Sequence, residues 1–146
     1  MPTIRTSHEI DTTTLAALRA AAAHIASHAY APYSRFRVGA ALLLAGGEVV
    51  TGCNVENASY RLTCCAEQTA VVAAVAQYGP AVRIAAVAVA NADPTVACQP
   101  CGACRQTIAE FADGACLILY PAANGAQGQC TLAELLPASF SFESPR

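Results

Sequence analysis

Thr63-Cys64-Cys65-Ala66-Glu67, answered by Pro100-Cys101-Gly102-Ala103-Cys104, is the pair of stretches around which the rest of the chain must be arranged. The first sets a thiol two residues before a carboxylate, at the predicted start of a helix with Thr63 as a plausible cap. The second sets two thiols three residues apart, and so on one helical face, just inside a helix opened by proline. A helix N-terminus carries roughly half a positive charge and unpaired N–H groups, both of which favour thiolate over thiol. Cys65, Cys101 and Cys104, brought together from two helix starts, can hold a zinc ion and leave its fourth tetrahedral position open to water, the arrangement of a catalytic rather than a structural site. Glu67 then stands beside that water as an acid/base. Cys65 is preferred to Cys64 as the ligand, because the Cys-x-Glu spacing lets the carboxylate reach the water without binding the metal.

Three other readings use the same thiols. Cys98, Cys101 and Cys104 are evenly spaced, so Cys98 could close the zinc site and make it purely structural. The run could ligate an iron–sulfur cluster, although the fourth cysteine of the bacterial pattern is missing. Cys101 and Cys104 could be a redox pair. None of these gives Glu67 a task.

Working outward, Asp11 to about Tyr30 reads as a helix capped by Asp11 or one of Thr12 to Thr14, with Leu15, Leu18, Ala22, Ile25 and Ala29 along one face. His24 and His28 lie one turn apart but have no Glu between them in the metalloprotease manner, which favours a polar face over a metal pair. Ala31-Pro32-Tyr33-Ser34 breaks the helix. Phe36 to Leu44 and Glu48 to Asn54 form a hairpin around Gly46-Gly47, and Gly39 marks a bulge or a close approach to the backbone. The polar run Asn54 to Tyr60 leaves a strand end, where ligands are commonly read. A second helix from Cys64 or Cys65 stops at Gly79-Pro80. Arg83 to Ala90 is an apolar, central strand. Asn91 to Gln99 is loop, Pro100 to Phe111 a third helix, and Cys116 to Tyr120 a fourth strand. Asn124-Gly125 starts a turn, and Leu132 to Leu136 is a short helical segment. Strands alternating with helices predict a sheet carrying helices on both faces.

At 146 residues the chain suits one domain, taken as 1–146. Hydrophobic residues make up 55% and charged residues only 12%, which points to self-association. The eight basic residues are scattered arginines, the net charge is −2 and there is no tryptophan, so the basic stripe that nucleic acid demands is missing and a small ligand fits better. No uninterrupted apolar run is long enough to span a membrane, and residues 1–13 lack the layout of a signal peptide. The expectation is a cytoplasmic protein whose eight cysteines are metal ligands or free thiols.

The composite Cys65-x-Glu67 with Pro100-Cys101-x-x-Cys104 matches a signature known from zinc-dependent deaminases. The chain resembles the cytidine deaminase family in its short homotetrameric form, almost end to end. The likeness runs through Pro32-Tyr33-Ser34, Phe36-Arg37-Val38-Gly39-Ala40-Ala41, Asn54-Val55-Glu56-Asn57-Ala58-Ser59-Tyr60, Cys65-Ala66-Glu67, Pro100 to Gln106 and Leu135-Leu136-Pro137. The resemblance implies a three-layer α-β-α sandwich around a five-stranded mixed sheet, and zinc-dependent hydrolysis of cytidine and deoxycytidine to uridine and deoxyuridine. It implies that Asn54 and Glu56 hold the ribose hydroxyls, that Phe36 lines the nucleoside pocket, and that Ala66 addresses the pyrimidine through its backbone. Tyr60 and Phe140 match positions that complete a neighbouring subunit's pocket.

Three residues depart from the family pattern. Gln68 stands where an arginine commonly donates to the thiolates, Arg61 where a small residue or proline is usual, and Gln99 where serine or threonine is frequent. The last two are expected to adjoin the pocket, where they would shift choice toward modified cytidines or be tolerated. Deamination of a modified cytidine or nucleoside antibiotic, and a non-enzymatic assembly protein with structural zinc, are the competing readings.

Overall fold

The computed structural model describes residues 10–142; most of the N-terminal stretch 1–13, read above for a signal peptide, and the last four residues of the polar tail lie outside the described residues. One five-stranded sheet runs in the order β2-β1-β3-β4-β5, with β1 Val38–Leu44, β2 Val49–Cys53, β3 Ile84–Asn91, β4 Leu117–Pro121 and β5 Gln127–Thr131. All pairs are antiparallel except β3 with β4, which are parallel. That parallel pair needs a crossover, and α3 (Gly102–Ala109) supplies it.

Alternate residues of β1 point to opposite faces and build two cores. Ala41 and Leu43 pack with Ala86, Ala88 and Leu119 under Leu18 and Ala22 of α1 (Thr12–Ala26). Ala40 and Leu42 pack with Val87, Val89 and Ile118 under α2 (Ala66–Tyr78), Ile108 of α3 and Leu132 of α4 (Leu132–Leu135). The result is the expected three-layer α-β-α sandwich with a mixed sheet.

Two glycines let the helices sit close. A Cβ on Gly39 would meet Ala22 O and lie 2.6 Å from Ala26 N, so α1 rests on bare backbone there. A Cβ on Gly52 would meet Ala70 N and lie 2.7 Å from Ala66 O, so the first turn of α2 is pressed against β2 in the same way. The second contact positions Cys65, Ala66 and Glu67.

Several boundaries differ from those expected. Helix α1 ends at Ala26, four residues before Tyr30, because Ser27 Oγ donates back to His24 O and Tyr30 N donates to Asn54 O instead of continuing the ladder. Strand β1 starts at Val38, not Phe36, since the Phe36 N–H and C=O are both taken by side chains. Pro100 precedes the N-cap Cys101 of α3, so it lies outside the helix and not in its first turn. Strand β5 was not legible residue by residue. Its sequence Gln127-Gly128-Gln129-Cys130-Thr131 is polar because it lies at a sheet edge, where the Tyr120 ring crowds the opposed Gly128.

Candidate metal centre

Cys65 is the N-cap of α2 and Cys101 the N-cap of α3, with Cys104 one turn further along α3. Thr63, expected to cap α2, does not; its Oγ1 accepts from Asn57 N instead. The three Sγ atoms lie within 4.8 Å of one another, and Cys65 Sγ is 4.0 Å from Cys101 Sγ. Three sulfurs bound to one zinc at about 2.3 Å would stand about 3.8 Å apart at tetrahedral angles, so this donor set fits a zinc ion with little movement.

The thiols share their protons unequally. The Cys104 thiol, donating toward Cys65, holds Cys65 down to about 6, against the opposing effects of burial and the Glu67 charge. Cys104 is pushed up, first by that same hydrogen bond and then by burial. One sulfur is therefore poised as thiolate before any cation arrives, and a divalent ion displaces the remaining protons. Gln68 closes the turn from outside, its Oε1 accepting from Cys65 N at 3.0 Å.

Neither Cys98 nor Glu67 joins the three-sulfur group among the described residues. Cys98 takes a hydrogen bond from the Asn91 side chain, and burial, with the Glu67 charge second, pushes it up to about 11. Its place outside the sulfur group, and not its proton affinity, sets it apart from the three ligands. All eight cysteines are free, so Cys101 and Cys104 form no redox disulfide here. Glu67 is only 4% exposed, and burial raises its carboxyl above the ordinary carboxylate range. His24 and His28 are exposed, with rings 5.7 Å apart, and no third ligand joins them among the described residues.

The sulfurs and Glu67 line a cleft of about 300 Å³ together with Phe36, Asn54, Glu56 and Ala66. Two backbone bridges at Val55 tie the Asn54–Glu56 segment to the chain on both sides, through Tyr30 to the residues after α1 and through Cys64 to the start of α2. Asn54 Oδ1 accepts from Val38 N at 2.8 Å and its Nδ2 donates to Phe36 O at 2.9 Å. Glu56 Oε1 accepts from Tyr33 N at 2.9 Å and Ser34 N at 3.1 Å. The Ser34 hydroxyl is the first cause holding Glu56 below the usual carboxylate range, ahead of those two N–H groups.

Tyr60 and Phe140 do not line this cleft. Tyr60 is 76% exposed and meets Tyr33 edge-on; Phe140 is 67% exposed, packs on Phe142, and is tethered by Gln106 Nε2 donating to its carbonyl. Gln99 lines the cleft as expected, whereas Arg61 does not. Ser34 and Val38 also line it, brought there by their hydrogen bonds to Glu56 and Asn54 and not by any local pattern, and so does Thr63, which the sequence offered only as a cap.

A family model described as the cytidine and deoxycytidylate deaminase zinc-binding region matches residues 12–120. The chain is 44% identical over 115 residues to a cytidine deaminase of Sporosarcina psychrophila, covering 79% of this chain and 82% of that one. It is 45% identical over 126 residues to a cytidine deaminase of Mycobacterium tuberculosis, covering 86% and 89%. The crystal structure of cytidine deaminase from Mycobacterium tuberculosis superposes with a TM-score of 0.77 at 43% identity, over 88% of this chain and 98% of that one. A cytidine deaminase structure from Burkholderia pseudomallei gives 0.77 at 43% identity, over 86% and 98%.

Proposed function

The chain belongs to the cytidine deaminase family, and on that premise we propose that it converts cytidine and deoxycytidine to uridine and deoxyuridine with release of ammonia, in pyrimidine salvage. The observation that carries this reading is the three-thiol cluster with Glu67 buried next to it and held outside it, in the lining of one cleft.

Cys65, Cys101 and Cys104 would hold a zinc ion, which when bound supplies Lewis acidity and brings the pKa of a water down toward about 7. The Glu67 carboxylate takes a proton from the attacking water and delivers it to ring N3, which makes C4 electrophilic. The water oxygen forms its bond to C4. Glu67 then moves the second water proton to the 4-amino nitrogen, the C4–N4 bond breaks, and nitrogen leaves as ammonia. A carboxyl whose burial strengthens its hold on a proton suits both transfers. Ala66, at the first position of α2, would present its backbone to the base.

Beyond their backbone partners Asn54 keeps one N–H, and the Glu56 carboxylate keeps acceptor capacity even with the Ser34 hydroxyl on it. One donor and one acceptor match a sugar hydroxyl, which both gives and receives. Among the described residues no lysine or arginine lines the cleft and two carboxylates do, so an uncharged nucleoside fits better than a nucleotide. Phe36 would pack on the nucleoside. Tyr60 and Phe140, exposed and outside their own cleft, would complete the cleft of a neighbouring copy in a homotetramer. No described helix is long and apolar enough to cross a membrane. The proposal takes 1–146 as one domain and places it in the cytoplasm.

The test is to incubate the zinc-loaded protein with cytidine, deoxycytidine and deoxycytidylate, following ammonia and ultraviolet absorbance. Turnover of the two nucleosides with little of the nucleotide is expected. Inertness toward both nucleosides would refute the assignment.

A further inference from the structure

The segment from Pro32 to Arg37 carries Phe36 to the cleft without belonging to any helix or strand. Arg35 N donates to Ala31 O and Arg37 O accepts from Ala92 N, and around Phe36 side chains take up the backbone polar groups. Glu56 Oε1 receives the N–H groups of Tyr33 and Ser34, and Ser34 Oγ receives that of Phe36 at 3.0 Å. Asn54 receives the N–H of Val38 and donates to the carbonyl of Phe36. Between these contacts Arg35 sits at φ 58°, the left-handed region that residues with a Cβ seldom adopt. Local preference does not hold this shape; its partners do. Asn54 is 9% exposed, so water offers little substitute for its two bonds.

We propose that Asn54 and Glu56 are positioning residues for the Phe36 wall as well as contacts for the sugar, so that each acts on recognition of the base through the backbone of residues 33–38. The inference rests on the nucleoside reading for its substrate probe, and its second measurement is independent of that reading. If the pair served the sugar alone, replacing either residue would cost nothing on a substrate lacking the sugar's secondary hydroxyls. If it also builds the wall, the cost persists on that substrate.

The experiment compares cytidine with 2′,3′-dideoxycytidine. Glu56→Ala and Asn54→Ala are expected to lower kcat/KM on dideoxycytidine by about fivefold or more, the effect of a lost hydrogen bond. Glu56→Gln keeps an acceptor oxygen for Tyr33 N and Ser34 N while losing the carboxylate on the sugar side. It should therefore cost as much as Glu56→Ala on cytidine yet clearly less than Glu56→Ala on dideoxycytidine. Alanine variants at the parent's level on dideoxycytidine would overturn the proposal, and so would Glu56→Gln falling as far as Glu56→Ala on that substrate. The chain has no tryptophan, so Phe36→Trp supplies a sole reporter of the wall that needs no turnover. Adding Glu56→Ala or Asn54→Ala should shift its emission to longer wavelength and lower its anisotropy, and adding Glu56→Gln should not. Emission and anisotropy indifferent to both alanines would contradict the proposal even if the protein turned over no nucleoside.

Discussion

Two groups of residues line the cleft, and they are held on different principles. Cys65, Cys101, Cys104 and Glu67 project from the starts of two helices whose own hydrogen bonds fix the backbone, and α2 is seated on Gly52. Phe36 rides on irregular chain held largely by the side chains of Asn54, Glu56 and Ser34. Reacting groups need placement within a few tenths of an ångström, which regular structure gives. The Phe36 wall depends instead on single side chains, each of which one substitution can remove.

The sharpest way to break this comparison is Glu67→Gln. It should keep the fold and the bound metal yet lose about 10²–10⁴-fold in kcat, the usual contribution of a positioned acid/base. Normal turnover by a variant with full metal content would remove Glu67 from the chemistry.

Gly52→Ala tests whether the seating of α2 matters more to the metal centre than to the fold. Forcing a methyl against Ala66 O and Ala70 N should cost about 1–3 kcal/mol and speed metal release to a chelator. Gly39→Ala makes a similar clash beneath α1, and should lower Tm while leaving metal release unchanged. Equal metal release from the two variants would mean that α2 has no special hold on the centre.

A smaller effect concerns pH. Burial raises the folded-state pKa of Glu67, so in metal-free protein its neutral form favours folding. That contribution is fully present below the unfolded value of about 4.3 and is lost as pH rises through the raised folded value. Metal-free Glu67→Gln should thus be more stable than metal-free parent near neutral pH, with the gap closing in acid. Thermal melts across pH check this; a gap that widens in acid would contradict it. The smallest expected effect is that of Cys98→Ser, which should leave metal content and turnover near the parent's, since Cys98 stands outside the sulfur group.

The same contrast decides what could be read before the fold was known. Cys101 and Cys104 are one helical turn apart, and Cys65 and Glu67 are two residues apart, so local geometry nearly determines the arrangement around a metal. The alternation of strands and helices was legible for the same reason, and the three-layer fold followed. Strand β5 was not, because an edge strand needs no apolar alternation and Gln127-Gly128-Gln129 has none. Nor was the double commitment of Asn54, whose partners Phe36 and Val38 lie 18 and 16 residues away. The start of β1 was misjudged because Phe36 is apolar for the sake of a cleft and not of a sheet. Tyr60 and Phe140 came from resemblance alone, and one chain leaves both at its surface.

X-ray absorption at the zinc edge of the loaded protein puts the central claim to the most direct trial. Three sulfurs at about 2.3 Å and one lighter oxygen or nitrogen neighbour are predicted, with the same count in Cys98→Ser. Four sulfurs in the parent, falling to three in Cys98→Ser, would mean that the corner beside Glu67 is closed and that the centre is structural.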